Sequence, residues 1–454
     1  MCVLPAAPER TVRGFPIHHS ISNEETSIMT KVAVIGAGPA GMVFTYALLR
    51  SGKGYDITVY SDRTPEQWLN HCAPTGTAFH YENVIDIEKN LGMDHWHEDA
   101  FHGEGVLLDF CPQVGAERMV VAGRWPGRGA AIDQRLRVSH WLNEIESLGV
   151  RLVIESVTPE RADEIAREHD LTVLAAGKGA LGQVIPRDPE RSVYDKPQRN
   201  LAMAICTGVK GWDHRIDLTP VKFYFFGDIG EFFWVPYTHK TAGPTWCVLF
   251  EAKPGKALDR FGDCRSGEEV VAIAKELMRE FTPWDYEIVK DMQIVPDDPY
   301  AWLKGRFPPT VRQPFGRLPS GGLIMPIGDT AITFDPIGGQ GGNTALRNAK
   351  FTADRVIAHG DRPFDEEWMR SVNADFWREH GWAAYTFNNI LLEPLEEAGR
   401  ILLTTAARSR RFADDFMIGN FPTPNNFFPY IQDAEAARQL VAPYLAEVEA
   451  GRDG

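Results

Sequence analysis

Short apolar runs that end in glycine alternate along this chain with segments whose apolar residues recur every three or four positions. The first run, Lys31-Val32-Ala33-Val34-Ile35, reads as a buried strand and leads at once into Gly36-Ala37-Gly38-Pro39-Ala40-Gly41. Residues 42–50 carry Val43, Ala47 and Leu48 at helical spacing, and Ser51-Gly52-Lys53-Gly54 breaks the pattern. Asp56-Ile57-Thr58-Val59-Tyr60 is a second strand. Strand, glycine turn, helix and strand in that order predict a βαβ unit, the opening of a doubly wound sheet.

The pattern is weaker from residue 64 to 125, where it supports a helix near 83–91 and otherwise loops. Residues 133–148 form a helix with Leu136, Trp141, Leu142, Ile145 and Leu148 on its apolar side, stopped by Gly149. Strands follow at 150–155 and 171–175. After residue 187 the alternation changes, and 201–206, 221–226, 232–236 and 246–250 read as a more antiparallel sheet. A helix at 269–281, a Pro/Arg/Gly-rich loop at 304–322 and a buried strand at 323–327 come next. Beyond Gly342 the chain is mainly helical. The predicted division is a flexible tail at 1–28, a cofactor-binding domain at 29–190 and 310–360, a substrate-binding domain at 191–309 and a helical region at 361–454. Residues 1–28 hold Pro5, Pro8 and Pro16 with scattered charges and no apolar stretch, which argues against a signal peptide. A tail, or a start assigned too early, explains them better.

The first glycine motif has a specific physical use. Gly36 permits the turn out of the strand, Gly38 lets the backbone approach a pyrophosphate, and Gly41 lets the helix pack on the sheet. Pro39 and Ala40 open the helix, whose free N–H groups face the phosphates. Asp62, about 20 residues on at the end of the second strand, can hold ribose hydroxyls, with Ser61 and Arg63 beside it. A second motif, Gly328-Asp329 followed by Asp335-Pro336-Ile337-Gly338-Gly339-Gln340-Gly341-Gly342-Asn343, lies between an apolar strand and a helix. Asp329 there suits a ribityl chain. The glycine run lets a loop approach a flat ring, and the helix beginning near Gly341 turns its positive end toward the ring's polar edge. A nicotinamide cofactor alone does not need this second site, so the pair of motifs indicates FAD. Pro336, Gly338 and Gly339 are expected over the flavin ring. Gly177 closes a strand where a cofactor can lie close, and Lys178 reads by default as a solvated lysine. Arg135 either reaches a phosphate or is a surface arginine. Phe223-Tyr224-Phe225-Phe226 and Phe232-Phe233-Trp234 make an aromatic sheet that serves as core or as pocket.

Composition narrows the class. With 44% hydrophobic residues in 454, the chain can bury a large core. A net charge of -15, from 62 acidic and 47 basic residues, makes nucleic acid a poor partner. No apolar run is long enough for a membrane span. Six scattered cysteines without a CxxC pair read as reduced packing residues, consistent with a cytoplasmic protein. The histidines show no HExxH-type spacing, so no metal is expected. There is no Gly-x-Ser-x-Gly elbow and no second fingerprint for NAD(P)H. A homodimer is the expectation from base rates alone.

Several blocks resemble the oxygenase subunits of the styrene and indole monooxygenases, two-component (group E) FAD-dependent enzymes. These are Val59-Tyr60-Ser61-Asp62-Arg63, Asp133-Gln134-Arg135-Leu136, Gly177-Lys178-Gly179-Ala180-Leu181-Gly182, Lys196-Pro197-Gln198-Arg199, the Gly328-Asp329 and Asp335-Pro336 motif, Phe412-Ala413-Asp414-Asp415-Phe416 and Asn420-Phe421. The resemblance implies an α/β, overall α+β, fold of the p-hydroxybenzoate hydroxylase type. In it a doubly wound FAD domain carries a mostly antiparallel substrate domain and a helical C-terminus. It implies reduced FAD supplied by a separate NADH:flavin reductase, and O2 reacting through a flavin C4a-hydroperoxide with a small apolar aromatic substrate, by epoxidation or sulfoxidation. It raises Arg135 as a cofactor contact and puts Ala78, His80 and Phe233 at the substrate pocket. Gly76 stands where the family pattern has an amide-bearing Asn, which alters the pocket wall. Rival readings are a single-component NAD(P)H-dependent hydroxylase, a halogenase, whose Trp-x-Trp-x-Ile-Pro signature is missing, and a non-catalytic flavin-binding protein.

Overall fold

A computed structural model of the chain describes residues 29–77, 79–177 and 179–452. The expected tail at 1–28, Ala78 and Lys178 lie outside the described residues. Lys31–Ile35 is buried along all but its first residue, and it pairs in parallel with Asp56–Ser61 on one side and Leu171–Leu174 on the other. A six-stranded sheet results, in the order Gly316–Arg317, Leu323–Pro326, Leu171–Leu174, Lys31–Ile35, Asp56–Ser61, Arg151–Ile154. Strands covered on both faces read as unbroken apolar runs, which is why the pattern was visible. The helix Pro39–Arg50 crosses over one face and buries Met42, Val43, Phe44 and Tyr46. The long helix Gly341–His359 packs beside it through Leu346, Ala349 and Ala353, within the same apolar cluster.

A second sheet has nine strands and is mostly antiparallel. Its centre is formed by Asn200–Thr207, Gly243–Ala252, Gly230–His239 and Pro220–Phe226, close to the expected spans. Alternation divides its faces. Phe232, Trp234 and Phe250 pack with residues of the helix Gly267–Phe281, while Phe233, Val235 and Leu249 join a core with the helices Trp382–Leu392 and Glu397–Arg408.

The sheet also takes in Phe79–His80, His102–Cys111 and Met119–Ile132, from a span expected to be cofactor domain with loops. These strands were hard to read because glycine, arginine and proline interrupt them. The glycines have local reasons: a Cβ on Gly105 would sit 2.0 Å from the Gly123 carbonyl oxygen, and one on Gly129 would sit 2.2 Å from the Phe79 ring. Close backbone approach therefore replaced the residues that make a strand recognisable.

The helix Gln134–Ile145 also differs from its expected apolar face, since Arg135 and Arg137 are both fully buried in it. Arg137 pairs with the equally buried Glu88 of the helix Glu82–Leu91 and lies 4.8 Å from the centre of the Trp141 ring. The five cysteines among the described residues are buried and unpaired. No helix of the described residues is long and apolar enough to cross a membrane.

The Glu88–Arg137 pair gives a direct stability test. Glu88→Ala leaves a buried guanidinium without its counter-charge and is expected to cost about 3–5 kcal/mol in denaturant unfolding. The double change Glu88→Leu/Arg137→Met should recover most of that loss.

Candidate active site

The first glycine turn is tight at its ends and open in the middle. Gly36 has φ +110° and donates its N–H to the Tyr60 carbonyl at 2.9 Å. A Cβ there would meet the Ala175 carbonyl oxygen at 2.4 Å, and one on Gly41 would meet the Gly36 oxygen at 2.1 Å. A Cβ on Gly38 would find nothing within 4 Å. Gly38 is the N-cap of Pro39–Arg50, which has no side-chain cap, so the amides of Ala40 and Gly41 are left for a ligand. Gly177, with φ +61° and open space around a Cβ, ends the neighbouring strand. Asp62 is exposed and, among the described residues, pairs with the adjacent Arg63 at 3.2 Å, leaving its carboxylate accessible. The Ser61 hydroxyl is already used. It donates to the Arg63 carbonyl at 2.6 Å and accepts from Trp68 Nε1 at 3.2 Å. Arg63 in turn lies over the Trp68 ring.

The second motif meets the first. Gly328 has φ +61°, and a Cβ on it would lie 2.5 Å from the Ala40 side chain. Its N–H donates to Asn348 Oδ1 at 2.8 Å, and Thr330 Oγ1 donates to the Gly177 carbonyl at 3.1 Å. Asp329, between them, is half-buried.

The following loop is fastened from several sides. Asp335 accepts the Ile337 N–H, and the Gly338 N–H donates to Asn388 Oδ1 at 3.1 Å. Gln340 Nε2 donates to the carbonyls of Gly338 and Phe421 at 3.1 and 3.0 Å. Asn343 accepts the Tyr81 N–H and donates to the carbonyls of Phe79 and Gly339, each at 3.0 Å. Gln340 and Asn343 thus shape the loop through their side chains. Gly339 has φ +62° and stays exposed among buried neighbours, with Pro336 half-buried beside it. Gly341–His359 starts with no side-chain cap, and Gly341 and Gly342 are half-buried at its mouth. Two uncapped helix N-termini, bare glycine turns and an accessible carboxylate at a strand end fit FAD.

Aromatic residues face this loop. Phe79, Tyr81 and Trp125 form a ring triangle with centroids 5.3 to 5.7 Å apart. The Tyr81 hydroxyl is 3.7 Å from where a Cβ on Gly339 would stand, and burial raises its pKa, so it remains a protonated donor. Trp125 Nε1 is buried without a hydrogen-bond partner. Tyr81 and Trp125 were not among the expected site residues, although the alternation of Phe79, His80 and Tyr81 could have pointed to Tyr81. His80 is buried, and neither of its ring nitrogens has a hydrogen-bond partner. Its Nδ1 is 3.7 Å from Glu88, and its Nε2 would be 3.4 Å from a Cβ on Gly342. Burial and the charge of Arg137 hold its pKa well below the ordinary histidine value, so it is neutral. Phe233 packs against Phe223, tilted, with centroids 4.8 Å apart, within the same apolar cluster as Tyr81 and Trp125. Gly76 is half-buried with nothing within 4 Å of a Cβ.

Arg135, expected either to reach a phosphate or to lie on the surface, does neither here. It is fully buried, with Nη2 2.7 Å from Asp133 and 2.7 Å from Asp298, and His239 completes the cluster 2.9 Å from Asp298. A guanidinium surrounded by two buried carboxylates gains more from them than from a distant ligand.

Comparison with known proteins agrees with this geometry. Residues 177–287 match the family described as "Styrene monooxygenase A putative substrate binding domain". The chain is 24% identical over 426 residues to styrene monooxygenase StyA of Pseudomonas fluorescens, covering 92% of this chain and 99% of the relative. A StyA from a Pseudomonas species matches at the same identity and coverage. Among solved structures, the flavin-dependent brominase Bmp2 superposes with a TM-score of 0.59 at 14% identity, over 92% of this chain and 100% of its own. The 2-methyl-3-hydroxypyridine-5-carboxylic acid oxygenase does so with a TM-score of 0.54 at 14% identity, over 84% and 97%. These two likenesses establish the fold.

The two glycines of the first turn separate folding from cofactor binding. Gly38→Ala should change stability by less than about 1 kcal/mol yet weaken FAD binding by about tenfold or more, a loss of ~1.4 kcal/mol. Gly41→Ala, whose methyl meets backbone, should cost about 1–3 kcal/mol of stability. Thermal unfolding of FAD-free protein and fluorescence titration with FAD read the two effects.

Proposed function

Because this chain belongs to the styrene monooxygenase oxygenase family and is a flavin-dependent monooxygenase, we propose that it is the oxygenase component of a two-component system. It takes reduced FAD from a separate NADH:flavin reductase and inserts one oxygen atom of O2 into a small apolar aromatic alkene, an indole or an aryl sulfide, the other atom leaving as water and the flavin leaving oxidised. The observation that carries the reading is the meeting of the two glycine turns, where Gly328 lies against Ala40. One dinucleotide can span both only there.

When bound, reduced FAD supplies the electrons that activate dioxygen. The protein's residues do the rest. The Ala40 and Gly41 amides bind the pyrophosphate, Asp62 holds the ribose, and Asp329 holds the ribityl chain. Residues 336–339 and the N-terminus of Gly341–His359 would receive the flavin ring. Phe79, Tyr81, Trp125 and Phe233 hold the substrate ring and exclude water, which aligns the reacting atoms and protects the activated oxygen. His80, being neutral, adds polarity without charge. Gly76 leaves room at the wall, which suits a substrate differing in shape from styrene. Reaction with a π-bond or a thioether needs no side-chain acid or base, and the site offers no catalytic triad.

Incubation of the protein with a flavin reductase, FAD, NADH and styrene, indole or an aryl sulfide should give an epoxide, an indole oxidation product or a sulfoxide that carries one atom from 18O2. Without the reductase, NADH should not be consumed. Rapid substrate-stimulated NADH oxidation by the protein alone would instead identify a single-component hydroxylase. Substrate-dependent oxygen uptake that never appears, even with reduced FAD supplied, would leave only a flavin-binding role.

A further inference from the structure

The loop between the helix Glu82–Leu91 and the strand His102–Cys111 is fixed at its start. Trp141 Nε1, from the helix Gln134–Ile145, donates to the Met93 carbonyl at 2.9 Å. Asp94 accepts the N–H groups of Trp96 and His97 at 3.1 Å each, and its carboxylate lies 2.6 Å from His97 Nδ1. That turn presents His95 to His140 of the same helix, and both histidines are exposed. Their ring centres are 4.4 Å apart, and the Trp96 ring meets both imidazoles edge to face, at 5.3 and 5.4 Å. Glu144 follows His140 by one helical turn, so the two share a face. Its Oε2 accepts the hydroxyl of the fully buried Tyr46 at 2.6 Å. The metal-ligating atoms of His95, His140 and Glu144, one from each, all lie within 4.8 Å of one another.

Two imidazoles and a carboxylate suit a divalent transition metal. Calcium and magnesium, which take oxygen ligands, are poorly served by them. Bonds of ~2.1 Å put the donors of a tetrahedral zinc about 3.4 Å apart. The three atoms therefore need to close by about 1.4 Å at most, which rotation of two exposed imidazoles supplies. The same exposure gives the ion an entry path and leaves water for its remaining position. Imidazole ligates only when neutral. Burial and the neighbouring charge of His95 hold the His140 pKa below the ordinary histidine value, so His140 is ready to ligate at neutral pH. Tyr46 supplies what a ligating carboxylate needs behind it, a hydrogen bond that fixes its orientation. No HExxH-type spacing marks this group, because only His140 and Glu144 share an element. The fold brings His95 to them.

We propose that His95, His140 and Glu144 bind one divalent transition-metal ion of the zinc class, which clips the loop at 92–101 to the helix Gln134–Ile145. Tyr46 is a positioning residue for the Glu144 carboxylate. The loop leads into the nine-stranded sheet, whereas the helix packs in the core beside the six-stranded one. The clip thus ties the two halves together at the surface, independently of any flavin.

Calorimetric titration of chelator-treated, tag-free full-length protein with zinc chloride tests the site. One ion per chain should bind. His95→Ala and His140→Ala, both at exposed positions, should each weaken binding by more than the roughly tenfold that loss of an outer-shell partner costs. Glu144→Gln should do the same while keeping the Tyr46 contact. Tyr46→Phe should weaken binding roughly tenfold with all three ligands intact. Cobalt(II) in place of zinc should develop visible absorption bands in the wild type and not in the double change His95→Ala/His140→Ala. Zinc should slow hydrogen exchange in peptides covering 92–101 of the wild type and not of that double variant, and magnesium should slow it in neither. Absence of zinc binding, or a zinc affinity and cobalt spectrum in the folded double variant equal to wild type, would overturn the site. Zinc binding that depends on the three ligands yet leaves exchange at 92–101 unchanged would overturn the clip.

Discussion

Ala40 and Gly328 come so close that one added carbon on Gly328 would overlap the Ala40 side chain. The strands that deliver these residues, Lys31–Ile35 and Leu323–Pro326, are far apart in sequence but lie on either side of Leu171–Leu174 in one parallel sheet. Their carboxyl ends therefore open on the same side, with Gly177 between them. In an open α/β sheet that is where ligands bind. The contact dictates much else. Helix Gly341–His359 must pack beside Pro39–Arg50 for Gly328 to arrive there, and the loop after it must pass close to the second sheet. Asn343 then joins loop to strand, since its amide reaches both the Gly339 carbonyl and the backbone around Phe79–Tyr81.

What was legible in the sequence follows from which residues do their work through backbone and which through side chains. Both glycine turns could be read because close backbone packing demands glycine there, as at Gly36, Gly41 and Gly328. The parallel strands could be read because burial on both faces makes them uniformly apolar. The strands of the Phe223 and Phe233 region stood out as aromatic alternation. His102–Cys111 and Met119–Ile132 did not stand out, because Gly105, Gly123 and Gly129 serve contacts with partners remote in sequence. For the same reason Trp125, on one of those strands, escaped notice as a neighbour of the loop. Arg135 and Arg137 carried no sign of burial, since an arginine at the start of a helix looks solvated until Asp298 or Glu88 is brought to it by the fold. Ser61, Gln340 and Asn343 lie at or beside the two glycine turns. Their side-chain hydrogen bonds nevertheless go to protein groups, a distinction that spacing alone does not carry.

The distribution of buried charge completes the argument. Three fully buried cations near the site have carboxylate partners: Arg135 between Asp133 and Asp298, Arg137 on Glu88, Arg199 on Glu231. Paired in this way, such groups are costly to disturb and well suited to fixing one arrangement of helices, strands and loop. The surface that faces the loop is different. Tyr81 brings a protonated phenol toward Gly339 and His80 an uncharged imidazole, its nitrogens without a hydrogen-bond partner, toward Gly342, while the rings of Phe79 and Trp125 pack on Tyr81. An ionised group there would draw water inward, because an unpaired charge in an apolar cavity is strongly disfavoured. Water is what an activated oxygen must be kept from. The division between charge that positions and neutral surface that encloses therefore favours transfer of oxygen to an apolar ring system over any chemistry that needs a titrating side chain at the reacting atom.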